Sequence, residues 1–147
     1  MSHSYCTNLV HCVFSTKNRA AIIPAEFQEQ LWAYLEGIAN HHHMPLLAVG
    51  GTANHVHLLV SIPSTTTVAS AINRFKANSS RWLREHGNNF EWQKGYGAFS
   101  VSPSQVPAVK DYIRNQAEHH AKHTFEEEFI SLLQKCGVAY DPKYVFG

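Results

Sequence analysis

The chain has 147 residues, 44% hydrophobic and 16% charged, which is enough for one domain with a real core and too short for two ordinary ones. That balance excludes an intrinsically disordered chain. The formal net charge of +1 argues against coating nucleic acid by bulk charge, because phosphate binding is largely counterion release by basic groups; a local strand-binding site stays open.

Leu9-Val-His-Cys-Val-Phe14 is rich in β-formers and stops at the polar turn Ser15-Thr-Lys-Asn-Arg19, which predicts a first strand. Pro24 suits the first turn of a helix in which Phe27, Leu31, Tyr34, Leu35 and Ile38 form one buried stripe, ending near Asn40 to His43. Met44 to Val49, closed by Gly50-Gly51, and His55 to Ile62, closed by Pro63, predict an antiparallel hairpin whose glycines permit a close or positive-φ turn. His55 and His57 then leave one face of their strand and Val56 the other. Thr65 to Thr67 cap a second helix with Val68, Ala71, Ile72, Phe75, Ser79, Trp82 and Leu83 at helical spacing, and Gly87 ends it. After Phe90-Glu-Trp-Gln-Lys94, Tyr96 to Val101 predicts a fourth strand.

The order strand, helix, strand, strand, helix, strand fits an α+β fold, a four-stranded antiparallel sheet in the ferredoxin-like (split βαβ) arrangement with two helices on one face. The second face needs cover. An additional C-terminal helix, approximately residues 105–123, and a last one from Phe125 to Lys135 are available for it, ahead of the irregular tail Tyr140-Asp-Pro-Lys-Tyr144. No repeat or linker divides the chain, so residues 1–147 read as one domain. Cys6, Cys12 and Cys136 make neither a CxxC pair nor an even disulfide framework and read as reduced thiols. No window approaches the ~18 apolar residues of a membrane span, and the start carries no targeting pattern, so the expected location is cytoplasmic.

Tyr112, Gln116 and His120 stand at i, i+4 and i+8 on one side of the C-terminal helix. Docked beside His55 and His57, that face would bring a phenol to a divalent cation held by two imidazoles and an oxygen ligand. The combination has a chemical purpose. A phenol with an ordinary pKa of about 10 is a weak nucleophile at pH 7, and a phosphodiester's oxygens repel it; a cation neutralises those oxygens and orients in-line attack. Mg²⁺ or Mn²⁺ suits the site, Mn²⁺ tolerating imidazole better. Each part alone has a plainer reading: an isolated HxH pair is weak evidence, His41-His42-His43 reads as a polar helix end, and Tyr112 alone reads as a packing residue.

Taken together, His11-Cys-Val-Phe-Ser-Thr-Lys17, Asn54-His-Val-His-Leu-Leu59, Ser79-Ser-Arg-Trp-Leu83, Trp92-Gln-Lys-Gly-Tyr-Gly-Ala-Phe-Ser-Val101, Tyr112-Ile-Arg-Asn-Gln116 and His119-His120 resemble the HUH-type single-tyrosine transposases of the insertion-sequence 200/605 group and their repeat-associated relatives. The resemblance implies a metal-dependent transposase acting on hairpin-bearing single-stranded DNA. His55, His57 and Gln116 would hold the metal, with His120 an additional candidate, and Tyr112 would attack the backbone to give a 5′-phosphotyrosyl link and a free 3′-hydroxyl. Reversal by another 3′-hydroxyl joins a new strand without ATP, so no nucleotide cofactor is expected. The family also implies a homodimer in which the tyrosine helix crosses over and completes the partner's site.

Lys17, Arg19, Arg74, Lys76, Arg81 and Arg84 are candidate phosphate contacts. Trp92, Tyr96 and Phe99 are candidates for stacking on unpaired bases, with core anchoring the alternative for Trp92 and Phe99. Two competing functions are a domesticated, non-catalytic binder of structured DNA and a metallohydrolase of small phosphate esters.

Overall fold

In a computed structural model, which describes residues 3–146, the first and third apolar runs form the centre of a sheet. Strands β1 (Leu9–Ser15), β2 (Leu46–Gly51), β3 (His55–Ser61) and β4 (Gly97–Ser100) lie in the order β2-β3-β1-β4, antiparallel throughout. Helices α1 (Ala25–His41) and α2 (Val68–Glu85) are the two connections that the split βαβ arrangement requires. The expected fold class is what forms.

One face of the sheet supplies Val10, Cys12 and Phe14 from β1 and Val56, Leu58 and Val60 from β3, all buried. Leu31, Leu35 and Ile38 of α1 and Ala71, Ile72, Phe75 and Leu83 of α2 close over them. Thr67 begins α2 as expected, its side chain accepting from the Ser70 N–H at 3.0 Å, and Gly87 ends it with φ +86°. Cys12 is a core residue, where burial pushes its thiol up to about 12 and removes it from thiolate chemistry at neutral pH.

The period of two sends His11 and Val13 of β1, and His55, His57 and Leu59 of β3, to the opposite face. Three further helices cover it: α3 (Val106–Arg114), the short α4 (Gln116–His119) and α5 (Phe125–Lys135). Ile113 of α3 packs with Ala48 and Leu59, while Phe125, Phe129 and Leu133 of α5 pack with Val13 and Phe99. The histidine-bearing face of the sheet is thus roofed by two small apolar clusters.

Two expectations change. The single helix across 105–123 is broken at Asn115 (φ −99°, ψ 25°), because the Gln116 side-chain amide donates to the Tyr112 carbonyl at 3.2 Å and competes for the helical ladder. Nor do Gly50 and Gly51 make the hairpin turn: both lie inside β2, and Thr52 to Asn54 carry the reversal. The glycines serve close approach instead. A Cβ on Gly50 would lie 2.3 Å from the Ile113 carbonyl oxygen, so its absence lets the backbone of α3 sit directly on β2.

Gly50→Ala is therefore expected to displace α3, and with it Tyr112, from the sheet. The overpacking cost is about 1–3 kcal/mol. Thermal melting together with an assay of the DNA cleavage that the family resemblance implies checks this: activity should fall further than the loss of folded protein accounts for. Unchanged activity in a folded variant would show that the α3 position is not critical.

Candidate metal centre and nucleophile

His55 and His57 are both fully buried, and the sequence around them fixes which nitrogen each presents. His55 Nδ1 is 2.8 Å from Asn54 Oδ1 and 3.0 Å from Thr52 Oγ1, so an Nδ1 proton is held by the turn and Nε2 points inward. His57 Nδ1 is 2.8 Å from Nε2 of His11, a buried residue of the neighbouring strand whose ring stacks on it. Such outer partners hold a ligating imidazole in one tautomer and orientation. Burial depresses His57 to about 4 against the opposing pull of Glu128, and burial with the nearby His57 takes His11 to about 3. Both rings are neutral at pH 7, the form that donates a lone pair to a cation.

The two inward nitrogens meet an oxygen-rich set. Gln116, 1% exposed, brings Oε1 to 3.0 Å from His55 Nε2. Glu128 of α5, buried at 3%, lies with Oε1 2.9 Å from His57 Nε2 and 3.4 Å from His55 Nε2. Burial opposes its charge, but the surrounding imidazoles of His120, His55 and His57 outweigh that and hold its carboxyl below the usual carboxylate range. His55, His57 and Glu128 present ligand atoms within 4.8 Å of one another. Two imidazoles, a carboxylate and an amide oxygen form a donor set suited to a divalent cation.

Tyr112 stands at the edge of this set, its hydroxyl donating to Glu128 Oε2 and its ring centroid 5.7 Å from that of His57. Burial, then the hydrogen bond and charge of Glu128, push the phenol above its ordinary value. At rest it keeps its proton. A groove of about 970 Å³ opens beside it, lined among others by His11, Phe99, Val101, Val109 and Lys135. The chain that contributes His55 and His57 also contributes this tyrosine.

The structure thus brings together Tyr112, His55, His57, Gln116 and His120, the last with Nε2 3.1 Å from Glu128 Oε1. Sequence reasoning omitted Glu128 and the supporting role of His11. Their signals were present in the phase of the elements. Thr124 and Glu127 form a capping box that fixes the start of α5, and this places Glu128 on the same side as Phe125 and Phe129. A carboxylate in a buried apolar stripe requires partners. His11 occupies the site-facing register of β1 for the same reason.

Several of the candidate DNA contacts also make contacts within the chain. Lys76 donates to the carbonyls of Gln93 at 2.9 Å and Gly95 at 2.7 Å, and desolvation depresses it to about 8. It ties down the segment before β4. Arg19 pairs with Glu126 at 2.8 Å, donates to the Phe146 carbonyl and lies over the Phe146 ring, anchoring the C-terminal segment. Arg84 donates to the Phe90 carbonyl, Arg81 to Asn78 Oδ1, and exposed Lys17 pairs with Glu91. Arg74 is partly exposed on α2.

Among the aromatics, Trp92 is buried, donates from Nε1 to Ser79 Oγ at 2.9 Å and packs edge-on to Phe14 and Phe90. That is anchoring, with no face left for a base. Phe99 is likewise buried, against α5, although its edge reaches the groove. Tyr96 is 41% exposed and is the one of the three with a ring open to solvent.

Comparison with known proteins places the chain in a defined setting. A family model described as "Transposase IS200 like" matches residues 4–116. Transposases for insertion sequence element IS200 from Salmonella typhimurium and Salmonella typhi are each 25% identical over 126 residues, covering 80% of this chain and 82% of theirs. A crystallographically solved candidate transposase from Deinococcus radiodurans R1 superposes with TM-score 0.60 at 22% identity, over 79% of this chain and 96% of its own. A REP-associated tyrosine transposase bound to a REP hairpin superposes with TM-score 0.62 at 14% identity, over 96% and 91% respectively. These two share the fold. Among the described residues, no helix is long and apolar enough to cross a membrane.

Proposed function

Since the chain belongs to the IS200-like transposase family, we propose that it cleaves and rejoins hairpin-bearing single-stranded DNA by transesterification through Tyr112. One observation carries this reading. Glu128 receives the Tyr112 hydroxyl on one oxygen and faces His55 and His57 with the other, so nucleophile and cation site share a single carboxylate.

His55, His57, Gln116 and Glu128 are the residues that would hold the divalent ion. When bound there, Mg²⁺ or Mn²⁺ supplies charge neutralisation at the non-bridging phosphate oxygens. The chain's own groups do the rest. The strand lies along the groove between β4, α3 and α5 with its scissile phosphate at Tyr112. Tyr112 Oη bonds to phosphorus, the bond from phosphorus to the 3′-oxygen breaks, and the phenolic proton passes to Glu128 Oε2. The departing 3′-oxygen takes up that proton and leaves as a hydroxyl. One phosphodiester is exchanged for another, so a second 3′-hydroxyl can reverse the step on a new strand. Apolar groove walls at Phe99, Val101 and Val109 offer surface to unpaired bases, and Tyr96 lies on the open side.

The decisive assay presents single strands with and without a hairpin, the corresponding duplex, and a small phosphate ester, each with Mg²⁺ or Mn²⁺. Hairpin-selective cleavage of single strands with a protein-bound fragment supports the proposal. Binding without cleavage under every metal condition supports a domesticated DNA-binding protein, and turnover of the small ester alone supports a metallohydrolase.

Within one chain Tyr112 lies beside the chain's own His57 and Glu128, an arrangement compatible with assembly in cis, whereas the family resemblance implies a homodimer that exchanges the tyrosine helix and completes each site in trans. Mixing Tyr112→Phe chains with His57→Ala chains separates the two. A site assembled in cis leaves the mixture inactive; exchange between subunits restores about a quarter of the wild-type activity, because half of the randomly paired dimers carry one intact site of two.

A further inference from the structure

We infer that Arg19 is a positioning residue: it clamps α5, and Glu128 with it, to the turn that holds His55. This rests on the metal-centre reading above and deepens it by naming what keeps two parts of the site together.

The turn that presents Arg19 is strained. Asn18 and Arg19 both adopt left-handed backbone, with φ 58° and 57°. Asparagine tolerates that region, whereas arginine enters it at a steric cost. Such a conformation persists only where its surroundings enforce it. Here the Arg19 N–H donates to the Thr16 carbonyl at 2.9 Å, and the Thr16 hydroxyl donates to the Ala20 carbonyl. The Arg19 carbonyl accepts from Asn54 Nδ2 at 3.3 Å, and Oδ1 of that same asparagine meets His55 Nδ1.

The Arg19 side chain reaches the other half of the site. Its Nε lies 2.8 Å from Glu126 Oε1 in the first turn of α5, and Nη1 donates to the Phe146 carbonyl at 3.0 Å. The guanidinium sits 5.0 Å from the centroid of the Phe146 ring. Phe146 meets Phe125 and Phe129 with centroids 6.5 and 6.1 Å away, and the Phe125 ring lies 4.8 Å from that of His55. One residue thus reaches His55 by two routes, through its carbonyl and Asn54, and through its guanidinium, Phe146 and Phe125. Glu128 follows Glu126 on the same helix. A planar group with several donors suits these simultaneous contacts, and a lysine ammonium does not reproduce them.

The test uses the full chain without DNA and separates positioning from stability through the strained turn. Arg19→Gly removes the guanidinium and relieves the left-handed backbone, so its melting temperature should stay close to that of the wild type. Hydrogen exchange follows α5, and EPR-monitored titration with Mn²⁺ follows the site. In Arg19→Gly the α5 amides are expected to exchange about tenfold faster, those of β1 and β3 to stay unchanged, and Mn²⁺ to bind about tenfold more weakly. Arg19→Lys keeps the charge and should recover only part of both losses. Lys17→Ala, which removes a charge from the same turn, should change neither. Wild-type α5 exchange or wild-type Mn²⁺ affinity in Arg19→Gly, the result that a DNA phosphate contact alone predicts, overturns the assignment while sparing the metal centre. Faster exchange throughout the sheet makes Arg19 a general structural residue and overturns it as well. Failure of the wild type to bind Mn²⁺ overturns the metal-centre reading, and the exchange of α5 still decides the clamp.

Discussion

Tyr112→Phe is expected to abolish the covalent DNA adduct, with strand cleavage falling by about 10⁴-fold or more, as removal of a nucleophile does elsewhere. The fold should survive. The tyrosine ring packs at the margin of the cluster formed by Ala48, Leu59 and Ile113, and phenylalanine keeps that contact. What disappears is the hydrogen bond to Glu128, a group that retains His57 and His120 as partners. The stability cost is about 1–2 kcal/mol at most, because Tyr112 is partly exposed. Gel detection of protein-linked DNA beside a thermal melt measures both quantities. A persistent adduct in a folded variant would remove Tyr112 from the nucleophile's role.

The second large effect belongs to a residue that sequence reasoning passed over. Glu128→Gln keeps the shape of the side chain and removes its charge. The two functions assigned to that carboxylate, holding the cation and receiving the phenolic proton, should fail together. Loss of a proton acceptor alone is worth about 10²–10⁴ in rate. Stability should fall somewhat as well, because the interactions that hold the folded-state carboxyl below its ordinary range stabilise its charged form at neutral pH. The expected pattern is therefore activity reduced at least about a hundredfold, a loss larger than the lowered melting temperature accounts for. A variant that is active and merely less stable would make Glu128 a structural residue.

The fold was legible in the sequence because its elements are periodic and well punctuated. β1 and β3 are short runs of β-formers closed by turn residues, the stripe of α2 repeats at helical spacing, and Thr67 and Gly87 mark its ends. The glycine pair was misread for a physical reason: glycine permits either a tight turn or close backbone approach, and only the position of Ile113 over Gly50 distinguishes them. The break at Asn115 was hidden because Gln116 competes for a carbonyl through its side chain, which leaves helical spacing intact on both sides.

The candidate site shows the same division. His55, His57, Tyr112 and Gln116 follow from strand alternation and the i, i+4 relation, and each reaches the site. Glu128 depends on tertiary packing, because an acidic residue early in a helix ordinarily reads as favourable placement near the helix dipole, and Glu126, Glu127 and Glu128 occupy the first turn of α5 together. Only the stripe shared with Phe125 and Phe129 separates the third from its neighbours. The partners of the basic residues are likewise set by tertiary packing. Lys76 and Arg19 look like phosphate contacts in sequence, yet their donors are committed to carbonyls and to Glu126.

The central claim is that this tyrosine becomes bonded to DNA. Peptide mapping by mass spectrometry after reaction with a hairpin-bearing single strand measures it directly. The expected result is a Tyr112-containing peptide carrying a 5′-phosphate-linked nucleotide, alongside a released fragment ending in a 3′-hydroxyl. Cleavage with no modified peptide, or with the nucleotide on a residue other than Tyr112, would contradict it.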